Sequence, residues 1–158
     1  MKKIIVTGCI ISALIISGCS VNIKSVYSNT NKISSNTNSF NLNNENQSID
    51  NQSYVGKLEF EGMDTIWTYN AEKNEEVEIS YLLSVTKGKA KLVLINSNEE
   101  LETIIENKDN TQPTDMNSKK LSLTKGENRI KLVAQDNAQI ELKINISKGE
   151  LTKVGFDM

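Results

Sequence analysis

The sequence predicts an all-β fold, an antiparallel β-sandwich of about eight short strands, and three observations predict it. From Tyr54 onward apolar and polar residues alternate with period 2, as they do in half-buried strands. Turn residues punctuate that alternation at short intervals. No long stretch of the region carries the 3.6-residue period of an amphipathic helix.

Taken in order, the strand candidates are Val55 to Phe60, Thr65 to Tyr69, Val77 to Val85, Lys89 to Asn96, Leu101 to Glu106, Lys119 to Leu123, Asn128 to Ala134 and Ala138 to Ile146. The last is the clearest, with Ala138, Ile140, Leu142, Ile144 and Ile146 apolar and every intervening residue polar. Val77, Ile79, Tyr81, Leu83 and Val85 repeat the pattern on odd positions, with Leu82 the exception. Leu92 to Ile95 are apolar without a break, which marks a strand buried on both faces. Glu61-Gly62, Lys87-Gly88, Asn96-Ser97-Asn98, Lys125-Gly126, Asp136-Asn137 and Lys148-Gly149 are the expected turns. Ser97 to Glu106 has enough charge and length to form a short helix instead of a strand.

Ser84-Val-Thr86-Lys-Gly88 and Ser122-Leu-Thr124-Lys-Gly126 share a spacing, each followed by an alternating apolar run. Both read as strand, tight glycine turn, strand, and shared turn chemistry explains the echo as well as duplication does. The second copy extends through Leu121-Ser-Leu123 to Asn128-Arg-Ile130-Lys-Leu132. That run resembles the L-x-L-x-x-G-x-N-x-I-x-L segment near the end of many bacterial jelly-roll modules, including carbohydrate-binding and pre-peptidase C-terminal types. The resemblance covers about a dozen residues and implies a jelly-roll-like sandwich.

Residues before Tyr54 read differently. Met1-Lys-Lys3 is a basic start, and Ile4 to Ile16 is largely apolar, the layout of a secretory signal peptide. From Ile4 to Gly18 the run is shorter than the roughly 20 residues a membrane-crossing helix needs. It ends in Ile16-Ser17-Gly18-Cys19, which resembles the lipobox of bacterial prolipoproteins. The resemblance implies diacylglycerol on the Cys19 thiol and cleavage of residues 1–18. The mature protein would then be lipid-anchored (palmitate is a usual acyl group) at the extracytoplasmic face of the cell membrane. Two acyl chains give stable anchoring where one is only reversible. Cys9 leaves with the signal peptide, so no disulfide is expected. The weight of Asn, Lys and Ile suits a low-GC Gram-positive source, and the globular part most resembles small uncharacterised lipoproteins of such bacteria.

Residues 19–53 are expected to be the lipidated cysteine and a disordered tether, with the folded domain confined to residues 54–158. Positions 20–53 hold ten Asn and eight Ser among 34 residues, with few charges. Their scattered apolar residues show no sustained period, so such a segment buries too little surface to offset its ordering entropy. As a coil it would span about 30 to 35 Å.

The chain contains 18 basic and 20 acidic residues and no histidine. Losing Lys2 and Lys3 leaves 16 against 20, a mature charge of −4, which argues against wrapping anionic lipid headgroups and against nucleic acid as a partner. The missing histidine removes the commonest general base, metal ligand and triad member. No Walker loop, dinucleotide fingerprint or thiolate metal site is present. No enzymatic activity, cofactor or metal is expected.

Candidate ligand-binding residues are Trp67 and Tyr69, which alternate with Ile66 and Thr68 and share one face of a strand. Buried, they are core anchors; exposed, they would stack on a sugar ring. The oxygen-rich loop Asp109 to Asp115 has donors suited to calcium, but it lacks the ligand spacing and central glycine of an EF-hand, and a polar crossover is the simpler reading. Glu75, Glu76 and Glu78 against Lys87, Lys89 and Lys91 suggest ion pairs between neighbouring strands or charges that protect a sheet edge. These features favour a non-catalytic binding module, nominally for envelope polysaccharide by fold analogy. The alternative is an interaction or accessory subunit holding another envelope protein.

Overall fold

A computed structural model describes residues 26–156. The signal peptide and Cys19 lie outside the described residues. The described chain runs through a one-turn helix α1 (Thr30–Ser34) and seven strands: β1 (Ser39–Asp50), β2 (Ser53–Ala71), β3 (Glu75–Ile95), β4 (Leu101–Lys108), β5 (Asn117–Leu123), β6 (Gly126–Ile146) and β7 (Glu150–Leu151). Every strand pairing is antiparallel. No helix among the described residues is long and apolar enough to cross a membrane.

Three of these strands are double-length, and they make the sandwich. The register breaks at Phe60/Gly62 in β2, between Val85 and Lys89 in β3, and between Ala134 and Ala138 in β6. At those levels Gly62, Gly88, Asp136 and Asn137 have positive φ, so each strand kinks and its second half passes into another layer. The first layer is ordered β5, the start of β3, the end of β6, the start of β2, then β1. The second is ordered β4, the end of β3, the start of β6, the end of β2, then β7. Gly88 is required at its kink. With φ at 76° and an added Cβ 2.6 Å from the Gln135 carbonyl oxygen, a side chain there would be both strained and obstructed.

Lys87-Gly88, Glu61-Gly62 and Asp136-Asn137, read from sequence as turns between strands, are therefore kinks within strands. Six of the expected strands merge into three. Leu101–Lys108 is a strand, pairing with Lys89–Ile95, and the helical option for that segment falls away. The opposed Glu and Lys runs lie on β3 alone and cannot pair across strands. Glu75 and Glu76 instead meet Lys148 and Lys120, and Lys89 and Lys91 lie over the ring of Tyr27.

The expected tether is a further correction. Residues 39–50 form β1, paired along Ser53–Met63 of β2. The two strands are joined by a tight turn at Asn51, whose φ is 51°. The alternation of β1 escaped notice because a bulge at Asn44 shifts its phase. Phe40 and Leu42 face inward before the bulge, and Gln47 and Ile49 do so after it. Tertiary pairing supplies what local hydrophobicity lacks.

One core fills the space between the layers. It includes Tyr54, Phe60, Ile140, Leu142 and Ile144 from the first layer, and Leu92, Leu94, Ile130 and Leu132 from the second. The opposite parity of the second layer forms a smaller cluster, Met63, Val93, Ile95 and Val133, with Val26, Tyr27 and Ile33 packed on it. Residues 26–38 thus strap the outer face of the second layer. Burying these side chains contributes roughly 1.5 to 3 kcal/mol each before entropy is charged.

Candidate functional site

A groove of about 600 Å³ crosses the outer face of the first layer, over β1, β2, β6 and β3. Strand register explains its composition. Asn46, Lys57, Glu141 and Ser84 stand side by side across four strands, and Glu59 and Gln139 are partners in a neighbouring row. Asn44, Thr86 and Gln112 complete the polar wall. Leu58 and Ile140, partners on adjacent strands, lie at its base with their side chains turned the other way, into the core between the layers.

The wall is held in place by its own contacts. The Asn44 amide donates to Glu59 at 3.1 Å, and the Thr86 hydroxyl donates to the Gln139 side-chain oxygen at 3.3 Å. Glu141 sits between Lys57 at 3.6 Å and Lys143 at 3.3 Å. Such exposed pairs contribute little to stability, a few tenths of a kcal/mol each. They do fix rotamers, so amides, hydroxyls and carboxylates face the same space. An arrangement of that kind can donate to and accept from a ligand rich in hydroxyls.

The sequence candidates lie elsewhere. Trp67 is 0 % exposed, and its Nε1 donates to the Lys148 carbonyl at 2.7 Å. A bulge between Thr65 and Trp67 turns the indole inward, opposite Ile130. Its ring is a core anchor and cannot stack on a ligand. Tyr69 shares the face, as the alternation predicts, with ring centroids 6.1 Å apart. It is half-buried at the strand end, donates to Glu75 at 3.0 Å and has the Lys148 ammonium 5.8 Å from its ring centre. The hydrogen bond to Glu75 raises the Tyr69 pKa, and the Lys148 and Tyr69 hydrogen bonds lower that of Glu75. This is a closed network with its donors and acceptors engaged.

The Asp109 to Asp115 loop is likewise committed to structure. Asp109 accepts from the Gly88 backbone at the β3 kink, and Thr111 exchanges two backbone bonds with Val85 at 2.8 and 3.0 Å. Among the described residues, no group of three or more acidic or cysteine side chains is placed to hold a metal ion.

Two polar constellations escaped the sequence reading. Gln47 is buried, accepts from the Tyr54 hydroxyl at 2.8 Å and from the Val154 amide at 2.8 Å, and donates to the Val154 carbonyl at 3.0 Å. It pins the C-terminal segment to β1, and Asp64 helps by accepting from Gly155 at 2.7 Å. Burial, with Glu45 and Asp64 nearby, pushes the Tyr54 pKa upward. Lys131 is fully buried beneath the strap. Its only sequence signal is a position among alternating residues, where it reads as solvent-facing.

No family model matches the chain, and no curated protein matches it. Among solved structures, procruciferin, an 11S globulin from Brassica napus, is similar over 60% of this chain at 16% identity and a TM-score of 0.30. The match spans about a fifth of that protein, 21% of its length. The fold and the groove define the class, an all-β sandwich with a polar groove on one outer face.

Proposed function

We propose that this protein is a lipid-anchored, extracytoplasmic binding module without catalytic activity, and that the groove on the first layer takes an envelope glycan. The observation that supports the reading is the row of amide, hydroxyl and carboxylate side chains that strand register brings together on one outer face. Sugar hydroxyls both donate and accept, as Asn and Gln side chains do. Cys19 carries the anchor and remains the proposed lipid-attachment site.

An accessory-subunit role would call for a contiguous apolar patch. The exposed large hydrophobic residues among those described are Val55, Met116 and Phe156, which sit on three different segments. The glycan reading is therefore preferred. It is tested by calorimetric titration of the mature chain, residues 19–158, with soluble peptidoglycan and wall-polysaccharide fragments. Binding that is abolished by the double substitution Asn46→Ala with Gln139→Ala, at unchanged melting temperature, supports it. No heat with any fragment, or binding indifferent to both substitutions, refutes it. Membrane retention that persists after Cys19→Ala refutes the anchor.

A further inference from the structure

Under the anchored reading of Cys19, on which this inference rests, the link between lipid and domain is not a long tether. The folded chain is already in place at Val26, which is fully buried in the cluster on the outer face of the second layer. Seven Cα steps separate Cys19 from Val26. At full stretch they reach about 25 Å. A domain of this size has a radius of gyration of about 14 Å and hence a diameter near 35 Å. So short a link cannot let the domain tumble freely above the bilayer.

The surface where the link enters is also distinctive. Lys89 and Lys91 place their ammonium groups 4.5 and 4.6 Å from the centre of the Tyr27 ring. Lys108 is the direct partner of Lys89 across β3 and β4, and Glu106 is the partner of Lys91. The Tyr27 hydroxyl donates to Glu106 at 2.8 Å. The result is a three-lysine, one-carboxylate cluster around an aromatic ring, on the face that carries the strap. Lysine stems lie along apolar surface, here over the buried Tyr27 ring, with their heads outward. Lys89 and Lys91 are half-buried, and Lys108 is exposed.

We infer that the strapped face of the second layer, around Tyr27, Lys89, Lys91 and Lys108, lies against the anionic headgroups of the membrane that holds the lipid. The groove occupies the outer face of the first layer, on the other side of the core. Apposition of the strapped face therefore points the groove outward, toward envelope polymers. Each lysine near an anionic surface adds modestly to binding, and because the attraction falls away within a Debye length the local lysine cluster sets the contact against the chain's overall mild acidity.

The test is lysine acetylation footprinting read by mass spectrometry. The mature chain is bound to vesicles of phosphatidylglycerol and phosphatidylcholine and compared with soluble Cys19→Ser protein. The expected result is a several-fold fall in labelling of Lys108 on vesicles, with Lys57 and Lys143 on the groove face near their solution values. Uniform labelling, or protection of Lys57 and Lys143 instead, overturns the inference. The N-terminal peptide in the same spectra reports diacylglycerol on Cys19, so failure of the anchor is seen separately. In that event the chain is coupled through the Cys19 thiol to a maleimide lipid. The footprint then decides orientation in the same way.

Discussion

The ammonium of Lys131 donates to the carbonyl of Ser35 at 2.6 Å, joining the middle of the sandwich to a residue 96 positions earlier. It also donates to the Thr37 carbonyl at 2.8 Å, while Arg129 donates to Ser34 at 2.8 Å. The short helix α1 thus ends on two cations that rise from the second layer. Carbonyls at a helix end lack intrahelical partners, and a cation there also meets the negative end of the helix dipole.

Replacing Lys131 by Met keeps the stem and deletes the donor. The carbonyls of half-buried Ser35 and exposed Thr37 then lose their charged donor, at a cost of about 1.5 to 3 kcal/mol, offset in part because no charge needs burying. Thermal unfolding of Lys131→Met should show a fall of several degrees, and limited proteolysis should find residues 26–38 cut first. Unchanged stability with an uncut strap would mean that apolar packing of Val26, Tyr27 and Ile33 holds it alone.

Alkaline pH separates the charge from the stem. Burial, reinforced by Arg129, pulls the Lys131 pKa down from 10.5 to about 8. Between those values the folded chain has released a proton that the unfolded chain still holds, so this group makes stability rise with pH across that window. The gain is on the order of 1 to 3 kcal/mol. Above pH 10 the raised pKa values of Tyr27 and Tyr54 act oppositely, because the unfolded chain ionises first. Urea unfolding between pH 7.5 and 9.5 should show wild type gaining on Lys131→Met; parallel curves would place the Lys131 pKa near its ordinary value.

Deleting residues 20–53 distinguishes a tether from a structural element. A disordered tether can be removed at no cost, whereas here the deletion strips β1, the strap and the Gln47 pin from the sandwich. It uncovers Phe60, Met63 and Val133, and exposes the edge of β2 to pairing with other chains. The expected outcome is a drop of tens of degrees or an aggregated product. A deletion protein that melts like wild type would restore the tether.

The single tryptophan reports on the core directly. Trp67 emission in the folded protein should be blue-shifted and shielded from iodide, and should not respond to glycans that bind in the groove. Trp67→Phe should cost about 1 to 3 kcal/mol, since it removes packing volume and leaves the Lys148 carbonyl without its donor. Strong iodide quenching of the native protein would instead return the ring to solvent.

The period-2 alternation of Val77 to Val85 and of Ala138 to Ile146 was enough to predict an all-β sandwich, because each face of a strand must match its surroundings residue by residue. The sequence alone also carries the Ile16 to Cys19 motif and the expectation of an anchor. It could not separate a turn from a kink, since Gly88 and Gly126 both supply positive φ and only partner strands decide whether the chain reverses or bends. Nor could it place β1, whose pattern is broken at Asn44 and whose stability comes from pairing with β2. The groove was hidden for a related reason. Lys57, Ser84 and Glu141 each read as an ordinary polar strand position and Asn46 as part of a tether, and only strand register brings four distant segments into one row. Local pattern is written in neighbouring residues; a site assembled across strands, like the burial of Lys131 under a strap, is set by contacts between residues far apart in the chain.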